Sequence, residues 1–195
     1  MTVTTQKLTF EEYLTYSDGT NVRYELIEGD LVPMSLGTGL HGSIAEFLYD
    51  EFRAQIRERS LPLTAKQMTV GVRSPRGTRW DTSRIPDVTV LAQEQWEAMS
   101  NREAIINLNE PPPVLVVEVV SKSTRADDYH SKPSEYALLE IQEYWIVDPF
   151  DMRVTVCTLN YRVYECVVFE NSDSVQSATF PNINLSAVQI LAHRR

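Results

Sequence analysis

The amino-acid sequence predicts an α/β fold in which a mixed β-sheet is flanked by helices and extended by antiparallel hairpins. Three observations lead to this prediction. A strand–helix–strand pattern spans residues 114–147, and such a unit crosses over right-handed and places its two strands parallel. Hairpin patterns occur before and after it, and residues 43–59 carry the apolar stripe of an amphipathic helix. The 195 residues are enough for one full core, so we predict a single domain over residues 1–195.

The first predicted elements are a short helix and a hairpin. Thr9 and Glu12 have the spacing of a capping box, which predicts a helix that runs to about Tyr16. Residues 23–32 then indicate two strands that are joined by a tight turn around Gly29.

A loop is predicted at residues 37–42, and the long helix at 43–59 follows it with Ser43 as its N-cap. Proline is common in a first helical turn because its missing N–H has no partner there, and we expect Pro133 in such a position. Further strands are predicted at residues 66–72, 86–91, 114–120 and 144–148, and further helices at 93–99 and 127–139.

The C-terminal part predicts a hairpin with strands at residues 154–158 and 163–169 and a turn around Asn160 and Tyr161. A short strand and a basic end follow.

Two cysteines, Cys157 and Cys166, flank this turn. They lack a metal-binding spacing and are too few for a disulfide framework, so we interpret them as reduced packing residues. The N-terminus has no apolar signal-peptide core, and no segment reaches the roughly 18 apolar residues that a membrane span requires. These features predict a cytoplasmic protein without a membrane span.

Two acidic residues, Asp87 and Glu118, are the most informative feature of the chain. Asp87 opens a buried strand directly after Pro86, and Glu118 stands between valines in another. Because side chains alternate along a strand, Glu118 shares its face with Val116 and Val120. A carboxylate in such surroundings requires compensation by a metal, a cation or hydrogen bonds. Two such acids on neighbouring strands could hold a hard cation for phosphodiester hydrolysis.

Each acid also has a structural interpretation. Asp87 could be a turn aspartate that caps local backbone amides, as Pro-Asp pairs often do. Glu118 could form a buried ion pair with an arginine or lysine. Both interpretations stay open at this point.

Two lysines compete for a role beside these acids. Lys132 precedes a predicted helix and could reach the carboxyl end of the Glu118 strand, where it would neutralise phosphate charge or position a water. Lys122 lies only a few residues beyond Glu118 in the following loop. Either lysine could instead be solvated.

Two further side chains could support the site. His41 lies just before the predicted long helix and could bind a phosphate or relay a proton, although a lone histidine is more often structural. Glu25 alternates with apolar neighbours, so it is either the polar face of a strand or an outlying acid of the site.

The charge of the chain restricts its partners. Net charge is −9, with 27 acidic and 18 basic residues, which argues against a protein that coats nucleic acid but not against an enzyme that visits DNA transiently. A local basic stretch leads into Asp87 and could contact DNA phosphates, or it could be a solvated hairpin loop. Its members are Arg73, Arg76, Arg79 and Arg84.

Other enzyme classes lack their signatures. The chain contains no Gly-rich phosphate loop, no Gly-x-Ser-x-Gly elbow and no His-Glu-x-x-His pair. Nothing therefore favours a nucleotide-binding fold, a serine hydrolase or a zinc protease.

An ordered set of short motifs resembles the Uma-type family of putative restriction endonucleases, which is placed in the PD-(D/E)XK nuclease superfamily. The resemblance covers residues 8–191. The motifs are YELIEG at 24–29, PMS at 33–35, His41, PD at 86–87, VVEVVS at 116–121, ST at 123–124, Asp128, Lys132 with Tyr136, and EYWIVDP at 143–149.

The resemblance implies a restriction-endonuclease-like core and a metal-dependent nuclease. Asp87 and Glu118 would hold Mg²⁺, for which Mn²⁺ could substitute, and a water would be activated for in-line attack on phosphorus. The superfamily pattern places a lysine two residues after the second acid, where this chain has Val120. The family supplies the lysine from the following helix instead, which maps to Lys132.

The chain departs from the family pattern at three further positions. Lys122 stands where a proline is common, Pro133 follows the mapped lysine, and Glu140 stands where a helix-ending glycine is usual. A DNA endonuclease that acts as a homodimer is the leading hypothesis, since two sites can cut both strands of a duplex. A non-catalytic interaction module with the nuclease fold, or a hydrolase of another phosphate ester, are the alternatives.

Overall fold

Two mixed β-sheets flanked by helices form the fold, as described for residues 7–34, 37–76 and 80–193 in a computed structural model of the protein. The predicted α/β class is confirmed, but the strands divide between two sheets instead of one. The strands are β1 (Tyr24–Ile27), β2 (Asp30–Pro33), β3 (Leu63–Gln67), β4 (Gly71–Arg73), β5 (Ser83–Arg84), β6 (Val88–Ala92), β7 (Ile105–Ile106), β8 (Leu115–Val119), β9 (Glu143–Asp148), β10 (Arg153–Asn160) and β11 (Val163–Glu170). The helices are α1 (Phe10–Leu14), α2 (Gly39–Glu58), α3 (Gln93–Ala98), α4 (Lys132–Leu138) and α5 (Ala187–Leu191).

The larger sheet has six strands in the order β11-β10-β9-β8-β6-β3, and the smaller has five in the order β2-β1-β5-β4-β7. β8 and β9 pair in parallel, as the strand–helix–strand pattern predicts. The single strand predicted at residues 66–72 is wrong, because β3 belongs to the larger sheet and β4 to the smaller. Met68 follows β3 with a left-handed φ of 47°, and this turns the chain from one sheet to the other.

The two faces of β8 enter two different clusters, as its alternation predicts. Leu115, Val117 and Val119 pack in the main core with side chains of α2. On the opposite face, Val116 and Val120 pack in a second cluster below α4. This second cluster surrounds Glu118 with apolar side chains.

The N-terminal capping box forms as predicted, with Thr9 and Glu12 bonded reciprocally, but α1 ends at Leu14. α2 begins earlier than predicted, at Gly39, because Thr38 caps it by accepting a hydrogen bond from the His41 N–H. The loop predicted at residues 37–42 and the N-cap at Ser43 are therefore wrong. His41 lies in the first turn of the helix rather than before it.

The helix predicted at residues 127–139 consists of a π-helical turn, Asp127–Ser131, followed directly by α4. Pro133 is in the first turn of α4 but inside the combined helical segment, where proline cannot donate a backbone bond and crowds the preceding turn. The π-helical turn, which is wider than an α-helical turn, lies directly before α4, where Pro133 crowds the backbone. After α4, Glu140 adopts a left-handed φ of 61°, the conformation that glycine favours at the end of a helix.

The C-terminal hairpin pairs β10 with β11, and its turn residues are Tyr161 and Arg162, one position later than predicted. Cys157 and Cys166 lie directly opposite each other in this register and form a disulfide. The interpretation of both cysteines as reduced is therefore wrong in this structure, because strand pairing brings their Cα atoms within 4.0 Å.

The predicted strand in the tail is only an isolated bridge between Ser174 and Ser186, and α5 follows it. Ser186 is the N-cap of α5 and forms a second capping box. This helix was not predicted, because a short strand was expected here. No helix in the described part of the chain is long and apolar enough to cross a membrane.

Candidate active site

Asp87 and Glu118 meet at the end of the pairing between β6 and β8. These strands are antiparallel, with Val88 opposite Val117. Extending this register by one residue places Asp87 opposite Glu118. Both acids are buried, so the larger sheet brings together the two carboxylates that the sequence singled out.

Asp87 is held by two hydrogen bonds to distant parts of the chain. Its Oδ2 accepts from the backbone N–H of Val119 at 2.7 Å, and its Oδ1 lies 2.8 Å from Nε2 of His41. Asp87 thus caps a backbone amide, but one on the neighbouring strand instead of a local one.

His41 is positioned by the first turn of α2 and faces Asp87. Burial by itself lowers the pKa of His41, but the hydrogen bond and charge of Asp87 outweigh it and raise that pKa above its usual value. Its other ring nitrogen, Nδ1, is buried without a hydrogen-bond partner among the described residues.

Glu118 is bonded on both carboxylate oxygens. Oε1 accepts from the hydroxyl of Tyr136 at 2.7 Å, and Oε2 lies 2.9 Å from Nζ of Lys132. Burial raises the pKa of Glu118 to about 8, although the charge of Lys132 opposes this rise. The mid-strand glutamate is therefore compensated by an ion pair, as one of its two interpretations expects.

Lys132 lies between two acids and is itself buried. Its ammonium contacts Glu118 on one side and Oδ1 of Asp128 at 2.7 Å on the other. Oδ2 of Asp128 accepts from the hydroxyl of Thr124 at 2.7 Å. Burial lowers the pKa of Lys132, but Glu118 and Asp128 outweigh it and raise that pKa, so the ammonium stays charged. Lys122 is exposed, so the structure brings Lys132 and not Lys122 to the carboxylates.

The buried cluster combines three acidic side chains with one lysine. Asp87, Glu118 and Asp128 are carboxylates, whereas Lys132 is the cation that contacts two of them. In the described part of the chain, no group of three or more His, Cys, Asp or Glu side chains is arranged to hold a metal ion. Two carboxylates suit Mg²⁺, which keeps several waters and is often bound through one or two protein acids.

Glu25 lies on β1 of the smaller sheet and contacts residues at the end of β5. Its Oε1 accepts from the backbone N–H of Ile85 at 2.9 Å, and its Oε2 lies 3.4 Å from Nη1 of Arg84. Its negative charge contributes to the raised pKa of Glu118, after burial and the nearer acids. Glu25 is thus an outlying acid that is paired with an arginine.

Among the residues that the structure describes, the arginines of the basic stretch do not form a free phosphate-binding patch. Arg84 is only 1% exposed and is bound to Glu135, so the prediction that it contacts DNA is wrong for this arrangement. Arg76 is also paired with Glu135, and Arg73 stacks on the ring of Phe10 at 4.0 Å. Arg76 and Arg84 are thus occupied by an acidic side chain, and Arg73 by an aromatic ring. Arg79 lies outside the described residues.

Sequence reasoning gave no role to Asp128, Tyr136 or Glu135. A signal for the first two exists, because Asp128, Lys132 and Tyr136 recur at every fourth position and so share one helical face. The role of Glu135 depends on the smaller sheet, which no local pattern reveals.

Comparisons with known proteins agree with this architecture. The family model Uma2, described as "Putative restriction endonuclease", matches residues 10–188. The uncharacterized protein sll1609 of Synechocystis sp. is 26% identical over 152 residues, which cover 77% of this chain and 80% of that protein. The crystal structure of a putative nuclease belonging to DUF820 from Anabaena variabilis has a TM-score of 0.70 at 21% identity, over 95% of this chain and 98% of that one. This last likeness shows a shared fold.

Proposed function

The chain belongs to the Uma2 family of putative restriction endonucleases, and from this we propose that it is a metal-dependent DNA endonuclease with Asp87, Glu118 and Lys132 as its catalytic residues. One observation carries the proposal. Asp87 lies opposite Glu118 in the extended strand register, and Nζ of Lys132 lies 2.9 Å from Glu118. Two carboxylates and a lysine from three different elements thus converge on one buried place.

Asp87 and Glu118 would hold the cation, with Mg²⁺ as the first choice and Mn²⁺ as a substitute. Bound there, it would supply Lewis-acid stabilisation of the charge that develops on the phosphate. Burial raises the pKa of Glu118, and a bound cation would favour the ionised form of this side chain.

The surrounding side chains have separate tasks in this proposal. Lys132 provides a permanent positive charge beside Glu118 for the reacting phosphate and its attacking water. Tyr136 orients Glu118 by donating a hydrogen bond from its hydroxyl, and His41 orients Asp87. Lys122 is exposed and has no task in this proposal.

DNA is the proposed substrate, and a homodimer is the proposed assembly because two sites would cut both strands of a duplex. Cytoplasmic DNA would be accessible to such an enzyme. Arg76 and Arg84, which precede Asp87, are engaged in ion pairs and contribute little free charge. We therefore expect binding of DNA to be weak.

Cleavage of supercoiled plasmid and of single-stranded DNA with Mg²⁺ or Mn²⁺ tests the proposal. Asp87→Asn and Glu118→Ala should each abolish metal-dependent cutting. Lys132→Ala should lower the rate by about 100-fold or more, as loss of one charge-stabilising group commonly does. Lys122→Ala is the matched control and should cut like the wild type. Equal loss in both lysine variants would overturn the assignment of Lys132.

A specific observation favours a second candidate function, a non-catalytic interaction module. All carboxylate oxygens of Asp87 and Glu118 already have partners within the protein, so the cluster can persist as a structural ion pair. Calorimetric titration with Mg²⁺ and Mn²⁺ separates the candidates. No metal uptake and no cutting would establish the module, whereas metal uptake without cutting of DNA would point to another phosphate ester as substrate.

A further inference from the structure

We propose that Arg84 and Glu135 are positioning residues, whose buried ion pair fixes the helix that carries Lys132 against the strand that leads to Asp87. The catalytic consequence of this inference rests on the proposed nuclease function. The geometric consequence, the placement of Lys132, does not.

The position of the pair in the chain supports this role. Arg84 ends β5 of the smaller sheet, and the chain passes from it through Pro86 to Asp87. Glu135 lies on α4, just under one helical turn after Lys132. The ion pair therefore joins the two chain segments that deliver one carboxylate and the lysine to the site.

The geometry of the pair is that of a rigid clamp. Nε and Nη2 of Arg84 donate to the two carboxylate oxygens of Glu135, each at 2.9 Å. Both side chains are nearly excluded from solvent, so water does not loosen the contact. Two parallel bonds from a planar fork define direction as well as distance, which a single lysine charge does not.

Neighbouring groups complete the bonding on both sides. The hydroxyl of Ser74 donates to Oε2 of Glu135 at 2.9 Å, and Nη1 of Arg76 donates to Oε1 at 3.2 Å. On the other side, Glu25 accepts from Nη1 of Arg84 at 3.4 Å and from the backbone of Ile85. Glu25 thus holds the chain just before Asp87 while Arg84 holds α4.

Lys132 needs an anchor on its C-terminal side because of what precedes it. The π-helical turn Asp127–Ser131 ends immediately before Lys132, and such turns are short departures from regular helix geometry. Pro133 follows and removes a backbone donor. Because the helix is irregular here, the position of the Lys132 side chain relative to Glu118 depends on where Glu135 is held.

Arg84→Lys and Glu135→Gln test the inference in the full-length chain. We expect kcat for DNA cleavage, counted per folded molecule, to fall by about 10- to 100-fold because small misplacements of reacting groups have effects of this size. The KM for DNA should stay unchanged, since both side chains are buried. Arg102→Lys is the matched control, because Arg102 also pairs with a glutamate, Glu110, but at an exposed position away from the site.

A second measurement does not depend on enzymatic activity. The side-chain amine signal of Lys132 in an NMR spectrum, identified by its disappearance in Lys132→Met, should shift in Arg84→Lys and Glu135→Gln but not in Arg102→Lys. Wild-type kcat and an unmoved Lys132 signal in both variants would overturn the inference. If the wild type cuts no DNA, the proposed function fails while this signal still decides the positioning role.

Variants of a buried pair can fail to fold, so a milder change completes the design. Ser74→Ala removes one hydrogen bond from Oε2 of Glu135 and leaves the ion pair in place. A smaller shift of the Lys132 signal in the same direction supports the inference. An unmoved signal in folded Ser74→Ala, together with unfolded Arg84→Lys and Glu135→Gln, would reduce the pair to a stabilising contact and overturn its positioning role.

Discussion

Lys132 and Glu118 form an ion pair, with 2.9 Å between Nζ and Oε2, in which the two side chains are only 4% and 5% exposed. The lysine comes from a helix and the glutamate from the middle of a buried strand. The contact satisfies the structural interpretation of Glu118 as half of a buried ion pair. The consequences for stability can be tested separately from those for activity.

Removal of the lysine should destabilise the protein. At pH 9, where Glu118 is ionised, we expect Lys132→Met to lower the free energy of unfolding by about 3–5 kcal/mol, because it leaves buried carboxylates without their cation. Urea denaturation followed by circular dichroism measures this. Lys122→Met changes an exposed lysine of the same kind and should stay within about 0.5 kcal/mol of wild type. Similar losses in both variants would contradict the contact.

Stability of the metal-free protein should depend on pH through Glu118. Its pKa rises from 4.5 in the unfolded chain to about 8 in the folded protein, so between these values the folded state keeps a proton that the unfolded state has lost. The contribution of Glu118 to stability is complete below pH 4.5 and falls as pH rises toward 8. Urea denaturation in EDTA from pH 5 to 9 should therefore show a steeper decline for wild type than for Glu118→Gln. Parallel curves would contradict the raised pKa.

Loss of the Asp87 charge should change the titration of His41. Asp87 raises the pKa of His41 against the opposing effect of burial. In Asp87→Asn, burial remains without the carboxylate, so we expect that pKa to fall below its usual value. NMR titration of the imidazole signals measures it, with the exposed His130 as a reference in the same spectrum. An unchanged His41 titration would mean that the contact is absent in solution.

The disulfide should contribute modestly to stability. Cys157 and Cys166 are 9 positions apart, and closing so short a loop is worth about 2–3 kcal/mol. Replacing both by serine should lower the free energy of unfolding by this amount and keep the fold, because β10 and β11 remain paired along their length. Dithiothreitol should destabilise wild type but not the double variant. Full alkylation of both thiols in oxidised native protein would show that the bond does not form.

Several parts of the fold could be predicted because they depend on local patterns. The capping box at Thr9, the alternating faces of β8 and the parallel pairing of β8 with β9 follow from spacing and from the handedness of crossovers. The sequence also indicates Glu118 as a candidate site residue, since a buried carboxylate between valines requires a compensating partner in any fold.

Other features depend on residues that are distant in sequence. The start of α2 at Gly39 was missed because a glycine-rich stretch resembles a loop until Thr38 caps it. The disulfide was missed because cysteine counts do not reveal strand register. Arg84 was assigned to DNA because its burial against Glu135 requires the smaller sheet to pack on α4.

The sequence by itself determined the α/β class, the two buried acids and the parallel unit around Glu118, because periodicity and the cost of burying charge are local properties. The tertiary structure alone decided that Lys132 and not Lys122 reaches Glu118, and that Arg84 binds Glu135 and not solvent. Ion pairs form between side chains that packing brings within a few ångströms, and packing depends on how two sheets and a helix fit together. The sequence therefore indicates which residues belong to the candidate site, whereas the contacts between them form only in the folded protein.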